Sequence, residues 1–443
     1  MVKVSIIMPS LNVGEYIEES LNSAINQTLK DIEIICIDAG STDGTWETIQ
    51  SKAEKDSRIV ALQSPVKSYG FQVNMGLEMA HGEYIGILET DDFISENMYE
   101  DLYKFAIERD LDYVKSDYST YTTKTDGGRD FVERRISVNH RLYDDVFSPS
   151  ENPHTVVDDW YLWNGIYDAK FLRKYRIRFA ETRGAAFQDI GFLYRVSVFA
   201  SRAQYLNESL YKYCVDREGA SSNSKNTLEF IRKEYGILVD EFDESSDGKA
   251  KKLLYMRMAR SFVRACMETD DEVLKNDKQA EICFWFQRKI REAERWGYVS
   301  EKDIPVGLRQ GYRHLLNPVE GFMAYRRLRN TEMMDYLSNA SVIVIFGCGV
   351  YGREAHALIN QMGYAVTYYM DNDKRLWKTN VDGIAVLDPD KINELPEDTR
   401  YIVANEKYSN EISEQIQEYR PNAMIFEYTS ELIYTDDYKK RRR

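Results

Sequence analysis

Along residues 1–224, short apolar runs alternate with stretches whose apolar positions recur every three or four residues. The runs Val4–Met8, Ile32–Ile37, Ile59–Leu62 and Tyr84–Leu88 predict strands, and their lack of polar alternation suits strands covered on both faces. Between them, Tyr16, Ile17, Leu21, Ala24 and Ile25 predict a helix over 14–26 that Asn12 can cap. Residues 46–56 and 72–80 read as two more helices. This alternation predicts right-handed parallel crossovers and a doubly wound α/β sheet. A helix over 96–109 and a strand over 111–116 follow, then a polar, loop-rich stretch from 120 to 153. From 225 to 338 the pattern turns helical, with Leu, Met, Phe and Trp at helical spacing in 253–267 and 282–296, a sign of core or interdomain packing. Strand-like runs return at Ser341–Phe346 and Ala365–Met370. Three regions are therefore expected: 1–224, 225–338 and 339–443.

The strand ending at Leu88 runs directly into Glu89, Asp91 and Asp92. Open α/β sheets bind ligands at the carboxyl edge of their strands. Clustered carboxylates there raise one another's pKa unless a cation sits among them. Hard oxygen donors suit Mg²⁺ or Mn²⁺ bridged to substrate phosphates. Upstream, Asp38-Ala39-Gly40-Ser41-Thr42-Asp43-Gly44-Thr45 follows the second strand as a glycine turn before a helix, a place that collects phosphates or ribose hydroxyls. His81, beside Gly82, reads as a neighbour of a helix C-terminus rather than a ligand.

Length and charge narrow the classes. A chain of 443 residues is long enough for two or three domains. With 58 Lys and Arg against 73 Asp and Glu, the net charge of −15 argues against a general nucleic-acid binder. It also makes an anionic small substrate harder to hold without a local cation. No apolar run reaches the roughly 20 residues of a membrane span, and no signal-peptide pattern precedes Val4, so the cytoplasm is the expected compartment. Cys36, Cys214, Cys266, Cys283 and Cys348 lack metal-ligand spacing and read as buried free thiols. The basic tail Lys439–Arg443 is a candidate peripheral contact with the anionic inner face of a membrane.

The segments VSIIMPSLN, IICIDAGSTDGT and GEYIGILETDD, in this order and spacing, resemble the family 2 glycosyltransferases of the GT-A fold over residues 1–220. The resemblance implies an inverting transfer of a sugar from a nucleotide diphosphate, with UDP the expected nucleotide, to a saccharide or lipid-linked saccharide in surface polysaccharide synthesis. It places Pro9, Asn12, Asp38 and Gly40 at the nucleotide, and Asp91 and Asp92 at the final acids of the family's DxD element, with Asp92 expected to take Mn²⁺ or Mg²⁺ directly. Lys67 and Gln72 are candidate nucleotide contacts. Ala39 and Glu89 depart from the family's usual acids, which leaves Asp38 to act alone and gives the first metal position a longer side chain.

Asp189, in Phe187-Gln188-Asp189-Ile190-Gly191-Phe192, stands where related enzymes carry the catalytic base. An acceptor hydroxyl needs such a group, and general-base help contributes about 10²–10⁴-fold. Its apolar neighbours would raise its pKa, and the residue could equally cap the helix that follows. Trp163 is a candidate acceptor platform, with core packing as the alternative.

Near the C-terminus, Gly347-Cys348-Gly349-Val350-Tyr351-Gly352 follows a strand and precedes a helix, and Asp371 ends the next strand. This is the dinucleotide fingerprint in context, and it predicts a small Rossmann-like module with Gly347, Gly349, Gly352 and Asp371 as candidate ligand residues. It resembles nucleotide- or sugar-nucleotide-binding modules attached to polysaccharide enzymes. The rival reading of the whole chain makes this module the active part, NAD-linked or sugar-modifying, with the first domain holding a sugar nucleotide. The helical region and the module are also candidate surfaces for a homo-oligomer.

Overall fold

The computed structural model describes residues 1–123, 128–137, 139–157, 159–215, 226–243, 247–267, 269, 271–304, 308–317, 319–405 and 408–428. The tail Lys439–Arg443 lies outside the described residues. Two compact units divide the chain, Met1–Arg257 and Met258–Arg442.

The first unit opens with β1 (Val4–Ser10), α1 (Ile17–Ile25), β2 (Ile32–Asp38), α2 (Thr45–Ala53), β3 (Ile59–Gln63), α3 (Tyr69–Met79) and β4 (Tyr84–Ile87). These strands pair in parallel in the order β3-β2-β1-β4, in register Ile6 with Ile34 and with Gly86. Ile6, Ile7, Ile34, Ile35 and Ile87 are all fully buried, each worth about 1.5–3 kcal/mol against exposure. The uniform burial explains why the apolar runs show no alternation. Helix α1 starts three residues later than the spacing predicted. Asn12 does not cap it: its backbone is left-handed (φ 51°) and its Oδ1 accepts from Thr42 N at 3.0 Å.

Beyond β4 the sheet becomes mixed. The chain continues through β5 (Phe93–Ile94), α4 (Met98–Arg109), β6 (Tyr113–Thr123), β7 (Arg129–Arg134), the short α5 (Arg141–Asp144) and α6 (Pro153–Val157), β8 (Gly165–Asp168), α7 (Ala169–Lys174), α8 (Asp189–Phe199) and β9 (Ala203–Cys214). Strand β8 runs antiparallel to both β4 and β6, while β6 and β9 are parallel with a register shift at Asp117. The path ends as β4-β8-β6-β9-β5, so β9 pairs with β5, which directly follows the acidic stretch after β4.

Helix α9 (Thr227–Phe242) and the start of α10 (Gly248–Met267) fold with this sheet rather than apart from it. Arg195 of α8 pairs with Glu241, and Tyr194 Oη donates to Ala250 O at 2.6 Å. The change of composition near residue 225 therefore marks a change of secondary structure inside one packed unit.

The second unit holds the rest of α10, then α11 (Asp271–Leu274), α12 (Asp277–Arg295), α13 (Arg309–Leu315) and α14 (Val319–Leu337). It continues with β10 (Ile343–Phe346), α15 (Val350–Gln361), β11 (Tyr368–Met370), β12 (Asn380–Val381), β13 (Ile384–Leu387), β14 (Arg400–Val403), α16 (Ser409–Tyr419) and β15 (Met424–Glu427). Its six strands order as β12-β13-β11-β10-β14-β15, parallel except for β12. All five cysteines are buried thiols.

Candidate active site

Three stretches of the first unit converge: the turn after β2, the acidic end of β4, and the loop before α8. The first is built by Asp38. Its Oδ2 accepts from Gly40 N and Ser41 N, both at 2.9 Å, and its Oδ1 from the Ser41 hydroxyl at 2.5 Å and the Ser10 hydroxyl at 3.2 Å. Asp38 is fully buried and shapes the turn, its two oxygens taken up by these four donors. Gly40 sits at φ 80° and Asn12 N donates to Ser41 Oγ, so the two loops lock together. Gln72, expected at the nucleotide, is buried instead, and its Nε2 donates to Ser10 O and Ile37 O at 2.9 and 2.6 Å. It ties α3 to the ends of β1 and β2. Pro9 is likewise buried in β1, its carbonyl accepting from the Thr90 hydroxyl, whereas Lys67 is exposed.

At the end of β4 the three acids part ways. Asp92 N donates back to Glu89 O at 3.1 Å, and this turn sends the Asp92 side chain beneath the sheet towards β9. There Asp92 is 2% exposed; its Oδ2 accepts from Tyr211 Oη and its Oδ1 from Cys214 N, each at 2.8 Å. The residue expected to take a metal directly thus anchors β9, because a buried carboxylate binds the nearest donors available. Burial and the Asp91 charge push its pKa well up, against the two donors. Asp91 and Glu89 stay half-buried. Glu89 Oε1 accepts from Tyr69 Oη at 2.5 Å. Among the described residues no group of three or more His, Cys, Asp and Glu side chains is placed to hold a metal ion. Asp91 and Glu89 still fit a divalent cation that takes one or two carboxylates and completes its shell with substrate phosphate and water.

The loop before α8 is clamped to the N-terminus of α3. Gln188 Oε1 accepts from Gly70 N at 3.0 Å, while its Nε2 donates to Thr182 O and Thr182 Oγ1 at 2.5 and 2.6 Å. Tyr69 N donates to Gly184 O and Gly184 N to Lys67 O. Gly70 is required here, since a Cβ would stand 2.1 Å from Ala180 O. The clamp brings Asp189, the first residue of α8, towards Tyr69, whose phenol is raised by burial first and then by the charges of both Glu89 and Asp189. Acid edge and expected base therefore face one tyrosine.

Asp189 is the first residue of α8 rather than its cap, and its Oδ1 accepts from the adjacent Ile190 N at 3.1 Å. Burial pushes its pKa up to about 6, opposed by the Arg257 charge and the Ile190 N–H and reinforced by Asp159. Arg257 is fully buried, lies 4.8 Å over the Trp160 ring, and donates through Nη1 to Val156 O. Among the described residues its Nε and Nη2 have no hydrogen-bond partner. Lys115 and Asp159, an ion pair with both side chains buried, stand within electrostatic reach of Asp189. Glu234 of α9, held by the Thr182 hydroxyl at 3.4 Å, is pushed to about 7 by burial and by Asp189.

Trp163 is no platform. It is 5% exposed, with Tyr211 stacked at 4.1 Å and Tyr213 at 5.2 Å. In the second unit, Gly352 lets α15 start tight against the glycine turn, for a Cβ there would stand 1.9 Å from Gly347 O. Asp371 Oδ2 accepts from Cys348 N and its Oδ1 from Asp373 N, both at 2.9 Å, so this acid closes the turn. Gly349 precedes α15 in extended backbone. Tyr69 and Gln188 lay beside residues already singled out in the sequence; Tyr211, Glu234 and Arg257 reach the site from far along the chain, with no local signal.

A family model described as glycosyl transferase family 2 matches residues 5–176, and one described as C2185-like, N-terminal, matches 339–425. Glycosyltransferase GlyG of Streptococcus pneumoniae is 30% identical over 222 residues, 47% of this chain and 70% of the relative. An uncharacterized glycosyltransferase of Bacillus subtilis, EpsJ, is 31% identical over 217 residues, 47% of this chain and 60% of its own length. The crystal structure of Staphylococcus aureus TarS 1–349 in complex with UDP-GlcNAc superposes with a TM-score of 0.53 at 19% identity, covering 74% of this chain and 92% of that one. At that identity the likeness is one of fold.

Proposed function

Because this chain belongs to glycosyl transferase family 2 and is a glycosyltransferase, we propose that it moves a sugar from a nucleotide diphosphate, UDP in the first instance, to a saccharide or lipid-linked saccharide hydroxyl with inversion at the anomeric carbon. Surface polysaccharide synthesis is the setting this reading favours. The observation that carries it is the position of Tyr69: its hydroxyl holds Glu89 at the acidic edge, while its ring lies within electrostatic reach of Asp189.

The donor diphosphate lies at Asp91 and Glu89, with the nucleoside towards the Asp38–Gly44 turn. Those carboxylates would hold Mn²⁺ or Mg²⁺, which when bound would supply charge neutralisation for the departing diphosphate. Asp189 accepts the proton of the acceptor hydroxyl as its oxygen bonds to the anomeric carbon; the bond from that carbon to the phosphate oxygen breaks, and the nucleotide diphosphate leaves with the electron pair. A base with a pKa near 6 is ionised at neutral pH yet basic enough to draw a proton in the transition state. Gln188 fixes the start of α8, and Arg257 keeps Asp189 ionised in a buried setting.

The rival reading, with an NAD-linked C-terminal module, would use Asp371 for a ribose, and each oxygen of that carboxylate already accepts one backbone N–H, from Cys348 and Asp373, which makes it the less favoured reading. Hydrolysis of UDP-sugars with Mn²⁺ tests the proposal. Wild type should release UDP, Asp91→Ala should lose the Mn²⁺ response, and Asp189→Asn should lose at least about a hundredfold in rate. Full activity in both variants would refute it.

A further inference from the structure

One face of α12 runs against the charge of the rest of the protein. Phe284, Arg288, Arg291 and Arg295 recur three or four residues apart on its solvent side, and Trp296 follows at its end. Phe284 is 64% exposed and Trp296 57%, while the opposite face buries Cys283, Phe286, Ile290 and Ala293. Among the described residues none of the three guanidiniums forms an ion pair. Arg291 Nη2 donates to Leu316 O and Arg295 Nε to Arg291 O at 3.4 Å. Arg291 and Arg295 are a like-charge pair at i,i+4, which weakens a helix by a few tenths of a kcal/mol. The helix dipole offsets this for the last turn alone, and it gives no reason for large aromatic side chains in water at both ends of the stripe. In a chain of net charge −15, these three arginines, without an ion-pair partner among the described residues, form a basic stripe beside Glu281, Glu292 and Glu294 of the same helix.

We propose that this face of α12 docks on an anionic lipid bilayer surface. Charge complementarity selects the occupant: guanidiniums at the level of lipid phosphates, with Phe284 and Trp296 entering the headgroup–acyl boundary, the arrangement interfacial helices adopt. A buried apolar face on the other side of the helix keeps it attached to the protein rather than inserted. The inference rests on the reading above only in its consequence, that docking holds the enzyme at the leaflet carrying a lipid-linked acceptor.

Full-length protein is mixed with vesicles of phosphatidylcholine alone or with about one third phosphatidylglycerol, and bound protein is measured by sedimentation. Binding is expected on the anionic vesicles only, with release in high salt. Arg288→Gln/Arg291→Gln/Arg295→Gln should weaken partition about fivefold per charge, near a hundredfold in total. Phe284→Ser/Trp296→Ser should weaken it at least tenfold, and deletion of 439–443 should leave most of it. Exposed positions should leave thermal unfolding unchanged, and Asp189→Asn should bind as wild type, so a catalytic failure is separable from a docking failure. Equal binding to both vesicles, wild-type binding by the arginine variant, or loss only on removing the tail would overturn the proposal. So would an arginine variant that changes the oligomeric state, or a wild type that prefers a DNA duplex to the vesicles.

Discussion

Replacing Asp189 with Asn should cost activity and add stability, both for one reason. The carboxyl rises from 3.8 to about 6 because folding takes it out of water without giving it a full set of donors. Between those two pH values the folded protein holds a proton that the unfolded chain releases, so stability falls as pH rises through the window. Above about pH 6 the whole penalty is in force, on the order of 1–3 kcal/mol for a carboxyl that is half-buried. Below about pH 4 it is absent. Asparagine keeps the shape and never ionises. Its benefit should therefore be nil at low pH and close to the full penalty at pH 7.5, raising the unfolding midpoint of the first unit by several degrees. Relief of Glu234, itself raised by the Asp189 charge, acts in the same direction. The assay is thermal unfolding of wild type and Asp189→Asn at several pH values, beside UDP-sugar hydrolysis. A variant equally stable, or less stable, at neutral pH would show that Asp189 is not held ionised at a cost, and the proposed base would lose its physical ground.

Wild-type hydrolysis should be half-maximal near pH 6 and fall about tenfold per unit below it, as the ionised form of Asp189 is lost. Arg257→Met should move that midpoint up by about one unit, since an opposing charge is gone, and Arg257→Lys should restore part of the shift; an unmoved pH–rate profile would remove Arg257 from the account. Asp92→Ala should destabilise the first unit by about 1–3 kcal/mol by leaving the donors of Tyr211 and Cys214 unmatched, whereas Asp91→Asn should leave unfolding unchanged and raise the Mn²⁺ needed for half-maximal hydrolysis at least tenfold. The reverse pattern, read from melting curves and Mn²⁺ titrations, would return the metal to Asp92. Gly70→Ala should lower hydrolysis at least tenfold, because the new Cβ would displace Ala180 O and with it the clamp that sets Asp189; unchanged kinetics would mean the clamp is dispensable.

The parallel half of the first sheet was legible because each buried strand there is a single unbroken apolar run, as Ile32–Asp38 shows. In the mixed half only the start of β6 was legible, as the strand expected over 111–116; its continuation and β9 carry Lys, Ser and Tyr that find partners only across the sheet, and Lys115 finds its charge partner in Asp159. The acids at the end of β4 could be located but not assigned. Which of Asp91 and Asp92 turns inward depends on Tyr211 and Cys214, some 120 residues on. Asp38 and Gln72 misled for a related reason: polar side chains near a ligand edge also satisfy the backbone of that edge, and here they do the second. Aromatic clustering around Trp163 announced contact, yet only the stacking of Tyr211 and Tyr213 shows that both faces are covered. Arg257 lies beyond any resemblance in the sequence, on a helix whose start folds with the catalytic sheet.

The most direct test of the central claim, one cleft shared by a metal-bridged donor diphosphate and Asp189, is a crystal structure of the full chain with UDP and Mn²⁺, the ion located by its anomalous scattering. The account predicts Mn²⁺ between Asp91 and the diphosphate, the uracil towards the Asp38–Gly44 turn, and the Asp189 carboxylate facing the same cavity. Mn²⁺ away from Asp91, or UDP seated at the Gly347–Gly352 turn, would contradict it.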